Sequence, residues 1–129
     1  MSVCGIGIDI VSVPRFVEFV ERKGDKALQR LFAPGEDTVG LSGPRLAARF
    51  AGKEAVMKAL GAGMGTVAWH DIQIVSTPSG RPQVLLEGRA RELARIQGIA
   101  RVELSLSHEQ DTAVAVAISV GGPGGVDQC

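Results

Sequence analysis

The sequence predicts an α+β fold, a mostly antiparallel sheet packed against one long helix. Three observations carry this. Hydrophobic patterning runs strand, helices, two strands, helix, two strands, an order that sets helices against an antiparallel sheet. Residues 44–61, "PRLAARFAGKEAVMKALG", start on proline and end on glycine, the asymmetry of a complete helix. Ala113, Ala115 and Ala117 line one face of the last strand and let a helix lie close, while Val114, Val116 and Ile118 fill the other.

The first strand, "CGIGIDIVSV" at residues 4–13, splits on a period of two. Cys4, Ile6, Ile8 and Ile10 form one face and read as core. Gly5, Gly7 and Asp9 form the other, where a backbone, a helix or a ligand can approach an acid at its end. Asp9 is then either a structural or capping residue or one that faces a cation, since a buried carboxylate needs a partner. Pro14 suits the first turn of a helix carrying Phe16, Val17, Phe19 and Val20, which Gly24 stops. A second helical stretch holds Leu28, Leu31 and Phe32, and residues 33–44 read as a turn-rich loop with room for a short helical turn.

In the long helix, Leu46, Phe50, Met57 and Leu60 fall within one apolar arc. The glycine-rich residues 61–65 break it. "WHDIQIVS" and "PQVLLE" are strand candidates joined by the turn "TPSGR". Residues 88–98 fit a short amphipathic helix with Leu93 and Ile96 inside. "RVELSLS" and "TAVAVAISV" then pair as a hairpin through "HEQD". The organisation expected is one domain over residues 1–120 and a disordered glycine-rich tail over 121–129.

Composition narrows the partners. Fourteen basic side chains balance 14 acidic ones, so no global field draws the chain to nucleic acid or membrane. Apolar runs are shorter than the roughly 20 residues a membrane span requires, and "MSVCGIGIDI" lacks a signal peptide's charged region, which makes the cytoplasm the expected location. The two cysteines, Cys4 and Cys129, make no disulfide framework and are expected as free thiols.

Glu54 lies about 40° round the helix from Phe50, at the margin of the buried arc. Lys58 follows at the spacing of an i,i+4 salt bridge, which is a sufficient reading for the pair alone. Arg45, Arg49 and Lys53 repeat the same spacing on another strip, suited to solvent or to phosphates.

Combination adds what no fragment does. "GIGIDIVSVPRF", "RFAGKEAVMKALGAG", "WHDIQI", "GRPQVLLEG" and "LSLSHEQDTAVAVAI" occur in that order, and over residues 3–119 the chain resembles the holo-acyl-carrier-protein synthase family, the short bacterial 4′-phosphopantetheinyl transferases. The missing third glycine and the absence of a helix opening directly on the glycines argue against a Rossmann fingerprint at "GIG". The resemblance implies a 4′-phosphopantetheinyl transferase-like fold and transfer of the phosphopantetheine arm of coenzyme A to a serine of an apo acyl carrier protein. A serine oxygen attacks the phosphorus bearing pantetheine, and adenosine 3′,5′-bisphosphate leaves.

Carried over residue by residue, the resemblance makes Asp9 and Glu54 ligands of Mg²⁺, in keeping with that ion's preference for one or two carboxylates plus phosphate and water. It makes Lys58 the stabiliser of the pyrophosphate, with Glu54 beside it in catalysis and the proton acceptor open between Glu54 and a water. Arg49, Lys53, Gly63, Gly65 and His108 fall to coenzyme A. Arg15, Phe19 and Arg22, along one edge of the first helix, fall to the acidic carrier. A homotrimer with sites at subunit interfaces is also implied. Gly52 departs from the family's usual alanine, at a helix penalty of roughly 1 kcal/mol. The alternatives are a Mg²⁺-dependent phosphohydrolase acting on coenzyme A or a nucleotide, and a non-catalytic module binding coenzyme A or carrier.

Overall fold

Close approach between one strand and one helix organises the molecule. The computed structural model describes residues 2–63 and 65–122. Its elements are β1 (Val3–Ser12), α1 (Val13–Lys23), α2 (Asp25–Leu31), a 3₁₀ turn (Pro34–Glu36), α3 (Gly43–Ala59), a second 3₁₀ turn (Trp69–Asp71), β2 (Ile72–Ser76), β3 (Pro82–Leu86), α4 (Gly88–Gln97), β4 (Ile99–His108) and β5 (Thr112–Gly121). One antiparallel sheet has the order β1-β5-β4, and β2 pairs with β3 in a second.

α3 begins where Ser42 caps the backbone N–H of Arg45 and Pro44 sets the first turn. Its buried Ala47, Ala51, Ala55 and Ala59 face the sheet, where Gly5 and Gly7 of β1 lie in register with Ser119 and Ala117 of β5. A Cβ at Gly7 would collide with the carbonyl of Ala55, and one at Gly5 with that of Ala59. Only glycine fits there. Ala113, Ala115 and Ala117, each fully buried, complete the floor as expected. Ser119 donates to the Ala59 carbonyl at 2.8 Å and ties the end of α3 to the sheet.

The isoleucine face of β1 reverses the expectation. Ile6, Ile8 and Ile10 are 66%, 55% and 68% exposed, and they stand in register with Ile118, Val116 and Val114 on an uncovered apolar face. Alternation identifies two faces but not which of them a helix will cover. The helix takes the side with no side chains in its way, and the branched residues are left outside.

Three smaller corrections follow. Ile96, expected inside, is 62% exposed because α4 buries Ala90 and Ala94 instead. Cys4 is disulfide-bonded and not a free thiol, while Cys129 lies outside the described residues. β5 includes Gly121, whose N–H donates to the Ser2 carbonyl at 2.7 Å, so the strand takes in the first residue of the expected tail. Residues 123–129 of that tail lie outside the described residues. Among the described residues no helix is long and apolar enough to cross a membrane.

Candidate active site

The glycine face of β1 ends on Asp9, and the helix pressed against it supplies Glu54 and Lys58. Lys58 Nζ donates to Asp9 Oδ1 at 3.3 Å and to the Ile8 carbonyl at 2.9 Å. Its ion pair therefore runs across the helix–strand boundary to Asp9 and not along the helix to Glu54, the simple i,i+4 bridge that spacing alone would give. Glu54 is half-buried, and among the described residues none donates a hydrogen bond to it. Burial raises its proton affinity above that of an ordinary glutamate, the negative charge of Asp9 raises it further, and Lys58 pulls it back. The charges of two carboxylates and of the Lys58 ammonium thus act on one another. Lys58 keeps 56% of its side chain exposed, while Asp9 keeps 13%.

A second set of groups converges on a cleft of about 410 Å³ lined by Arg45, Arg49, Ser76, Arg81, Ser105 and His108. Arg49 donates to the Ile74 carbonyl at 2.7 Å and to Ser76 Oγ at 2.8 Å, fixing α3 to β2. Its guanidinium has five N–H donors, so donors remain for a ligand. Burial lowers its pKa from the ordinary value, while Glu36 opposes that and Arg45 adds to it. His108 sits exposed at the end of β4 beside these arginines. Four cationic or potentially cationic side chains around one concavity suit an oligophosphate.

A second concavity, about 790 Å³, lies between α1 and α2. Phe16, Phe19, Phe50 and Trp69 line it, with ring centroids 5.2 Å apart for Phe16–Phe50 and 5.3 Å for Phe50–Trp69. Exposed Arg15, Lys23, Lys26 and Arg30 border the same space. Arg22 stands apart, exposed and 4.0 Å from Glu18.

Lys53 does not join the arginine-lined cleft. It is fully buried, and its three donors are spent on Glu36 Oε2 at 2.6 Å, the Trp69 carbonyl at 2.9 Å and the Ile72 carbonyl at 2.7 Å. No donor is left for a ligand. Burial lowers its pKa from the ordinary lysine value, against which the hydrogen bond and charge of Glu36 hold it up. The expectation that it contacts coenzyme A is corrected on this ground. Gly63 and Gly65 lie exposed in the loop after α3 and line neither the cleft nor the cavity, and Gly65 has φ +81°, a conformation that favours glycine.

Sequence reasoning missed Glu36, Arg81 and Trp69. Arg81 and Trp69 carried no periodic signal, and Glu36 sat in a loop where an acid is ordinarily solvated; only its place after Pro34-Gly35 hinted at a fixed turn.

Residues 5–117 match the model of the 4′-phosphopantetheinyl transferase superfamily. The chain belongs to this superfamily. Holo-[acyl-carrier-protein] synthase from Desulforudis audaxviator (strain MP104C) is 49% identical over 123 residues, which is 92% of this chain and 94% of that protein. Among solved structures, the holo-[acyl-carrier-protein] synthase of Neisseria meningitidis superimposes with a TM-score of 0.83 at 35% identity, covering 92% of this chain and 99% of its own. That of Helicobacter pylori, solved in complex with coenzyme A, gives 0.80 at 34% identity, covering 89% and 99%. As a phosphopantetheinyl transferase, this chain is an enzyme of the α+β fold expected.

Proposed function

We propose that the arm of coenzyme A is transferred to the serine of an apo acyl carrier protein at the Asp9–Glu54–Lys58 cluster. The observation that carries this assignment is the placement of both carboxylates at one end of the β1–α3 contact with a half-exposed lysine paired to Asp9. The donor set fits Mg²⁺. Hard oxygens suit it, and a half-buried Glu54 whose proton affinity is raised by burial and by the charge of Asp9 is relieved by a divalent cation. Asp9 and Glu54 would hold the ion, which when bound supplies charge neutralisation at the pyrophosphate.

Lys58 would be free to turn from Asp9 to a substrate phosphate, because its ammonium is held by one carboxylate and one carbonyl and 56% of its side chain is exposed. It would stabilise charge that grows on the pyrophosphate oxygens as the P–O bond to the leaving nucleotide lengthens. Arg49 and His108, with Arg45 and Arg81, would take the nucleotide phosphates. The cavity bordered by Arg15 and lined by Phe19 would receive an acidic carrier, with Arg22 extending the positive edge of α1.

The uncovered face supports the reading of a homotrimer. Ile6, Ile8, Ile10, Val114, Val116 and Ile118 form a contiguous apolar surface that a monomer would leave in water, and closed self-association would bury it. The site on β1 would then lie near a subunit boundary. The enzyme would act in the cytoplasm.

Mass spectrometry of an apo carrier incubated with the protein, coenzyme A and Mg²⁺ tests the reading. The expected product carries the phosphopantetheine increment. Release of nucleotide with an unmodified carrier would indicate a phosphohydrolase instead, and binding without either product a non-catalytic module.

A further inference from the structure

The buried Glu36–Lys53 pair sits away from the proposed chemistry, yet it gathers five backbone or side-chain bonds in one dry place. Both side chains are almost fully enclosed, at 0% exposure for Lys53 and 1% for Glu36. Glu36 Oε2 accepts from Lys53 and from the Ala33 N–H at 2.7 Å, and Oε1 accepts from the Ile74 N–H at 3.0 Å. Lys53 in turn holds the carbonyls of Trp69 and Ile72, and its ammonium stands 5.2 Å from the centre of the Phe32 ring. Every partner is backbone, apart from the two charges themselves. A neutral core would be at least as stable, since burying an ion pair gains little over packed apolar side chains. What the pair adds is geometry.

We propose that Lys53 is a positioning residue: clamped by Glu36, it fixes the Trp69 turn against α3 and so sets the wall of the cavity between α1 and α2. Trp69 is one end of the aromatic row Phe16–Phe50–Trp69, and the Lys53 ammonium holds its carbonyl directly. Phe50 lies on α3 three residues before Lys53, so one turn of helix supplies both the ring that Trp69 stacks on and the cation that holds its backbone. The effect on catalysis rests on the reading that the carrier docks in this cavity, whereas the clamp on Trp69 does not.

Trp69 is the single tryptophan of the chain and reports on its own position. The test compares Lys53→Met with the double variant Glu36→Gln/Lys53→Met, which leaves no buried charge unpaired, and with the milder Glu36→Gln, which keeps an acceptor for Lys53. Circular dichroism checks that each is folded. The double variant is expected to recover stability lost in Lys53→Met but to retain a red-shifted tryptophan emission, readier acrylamide quenching and a KM for the carrier raised on the order of tenfold, the scale of one lost charged hydrogen bond. Glu36→Gln should move emission in the same direction by less. The KM for coenzyme A should stay at the wild-type value.

Wild-type emission and wild-type carrier KM in the folded double variant would overturn the proposal, as would a rise in the KM for coenzyme A, which would return Lys53 to the phosphates. Arg15→Glu separates the two readings. If it leaves carrier KM unchanged, the docking site is wrong and Trp69 emission alone decides the clamp. If it raises carrier KM while the double variant, with shifted emission, does not, the clamp leaves docking untouched and the proposal fails.

Discussion

α3 carries two lysines five residues apart, and each meets an acid from elsewhere in the chain, with opposite results. Lys53 reaches Glu36 at 2.6 Å with no solvent exposure, whereas Lys58 reaches Asp9 at 3.3 Å with 56% of its side chain in water. The inner pair has spent its donors on backbone carbonyls. The outer pair has not, and beside it stands a second carboxylate, Glu54, with no hydrogen bond from the described residues. Similar chemistry thus serves architecture on one side of the helix and, on the reading proposed above, a reaction on the other. What separates the two is access to solvent and the number of partners already satisfied.

The comparison breaks most visibly at the outer acids. Asp9→Ala and Glu54→Ala should each lower turnover by about a hundredfold or more while leaving circular dichroism unchanged, because on the proposed reading each removes a carboxylate that would hold the ion at the pyrophosphate. Chelation of divalent cations should reproduce the loss. Full activity in either variant would place the chemistry elsewhere.

At the inner pair the loss should fall on stability. Glu36→Ala leaves a buried ammonium without its counter-charge and should destabilise the fold by roughly 3–5 kcal/mol in denaturant titration, against about 0–1 kcal/mol for Asp9→Ala, which leaves behind a lysine that solvent reaches. Equal costs at the two sites would erase the distinction.

The outer acids also give a pH signature in the absence of divalent cations. The proton affinity of Glu54 is raised in the folded state by burial and by Asp9, so the folded chain holds this proton more tightly than the unfolded chain. Its favourable contribution is present below the ordinary glutamate value and is lost as pH rises through the folded one. Glu54→Gln, neutral throughout, should therefore have a somewhat higher Tm than the wild type at neutral pH. Added Mg²⁺ should raise the Tm of the wild type and leave the variant unmoved. A variant less stable than the wild type at neutral pH would contradict the sign.

The smallest effect belongs to the positive edge of α1. Arg15→Glu with Arg22→Glu should raise the KM for the carrier roughly tenfold at low salt and weaken its salt dependence, with coenzyme A affinity unchanged. The part due to Arg22 should be the lesser, because Glu18 already stands beside it.

Much of this was legible from the chain. Gly5 and Gly7 on one strand and Ala113, Ala115 and Ala117 on another announce a helix lying close, and Asp9 at the end of the glycine face announces where that contact opens. The isoleucine face was misread, because apolar residues mark a surface to be covered without saying whether this chain covers it. Lys53 was misread for a geometric reason. Steps of four residues advance about 40° round a helix, so the strip Arg45, Arg49, Lys53 turns by about 80° from end to end. It passes from exposed through half-buried to buried. Glu36 was invisible because its partners are distant in sequence and mostly backbone, which no side-chain pattern records.

The two lysines themselves provide the most direct test. Lys58→Ala and Lys53→Met should be measured side by side for kcat at saturating coenzyme A and carrier, and for Tm. Lys58→Ala should lower kcat by on the order of a hundredfold with Tm nearly unchanged, since charge on the phosphate grows toward the transition state. Lys53→Met should lower Tm while each folded molecule keeps a near wild-type kcat. A Lys58→Ala enzyme with wild-type kcat, or a stable Lys53→Met protein that has lost its turnover, would contradict the division of labour along this helix.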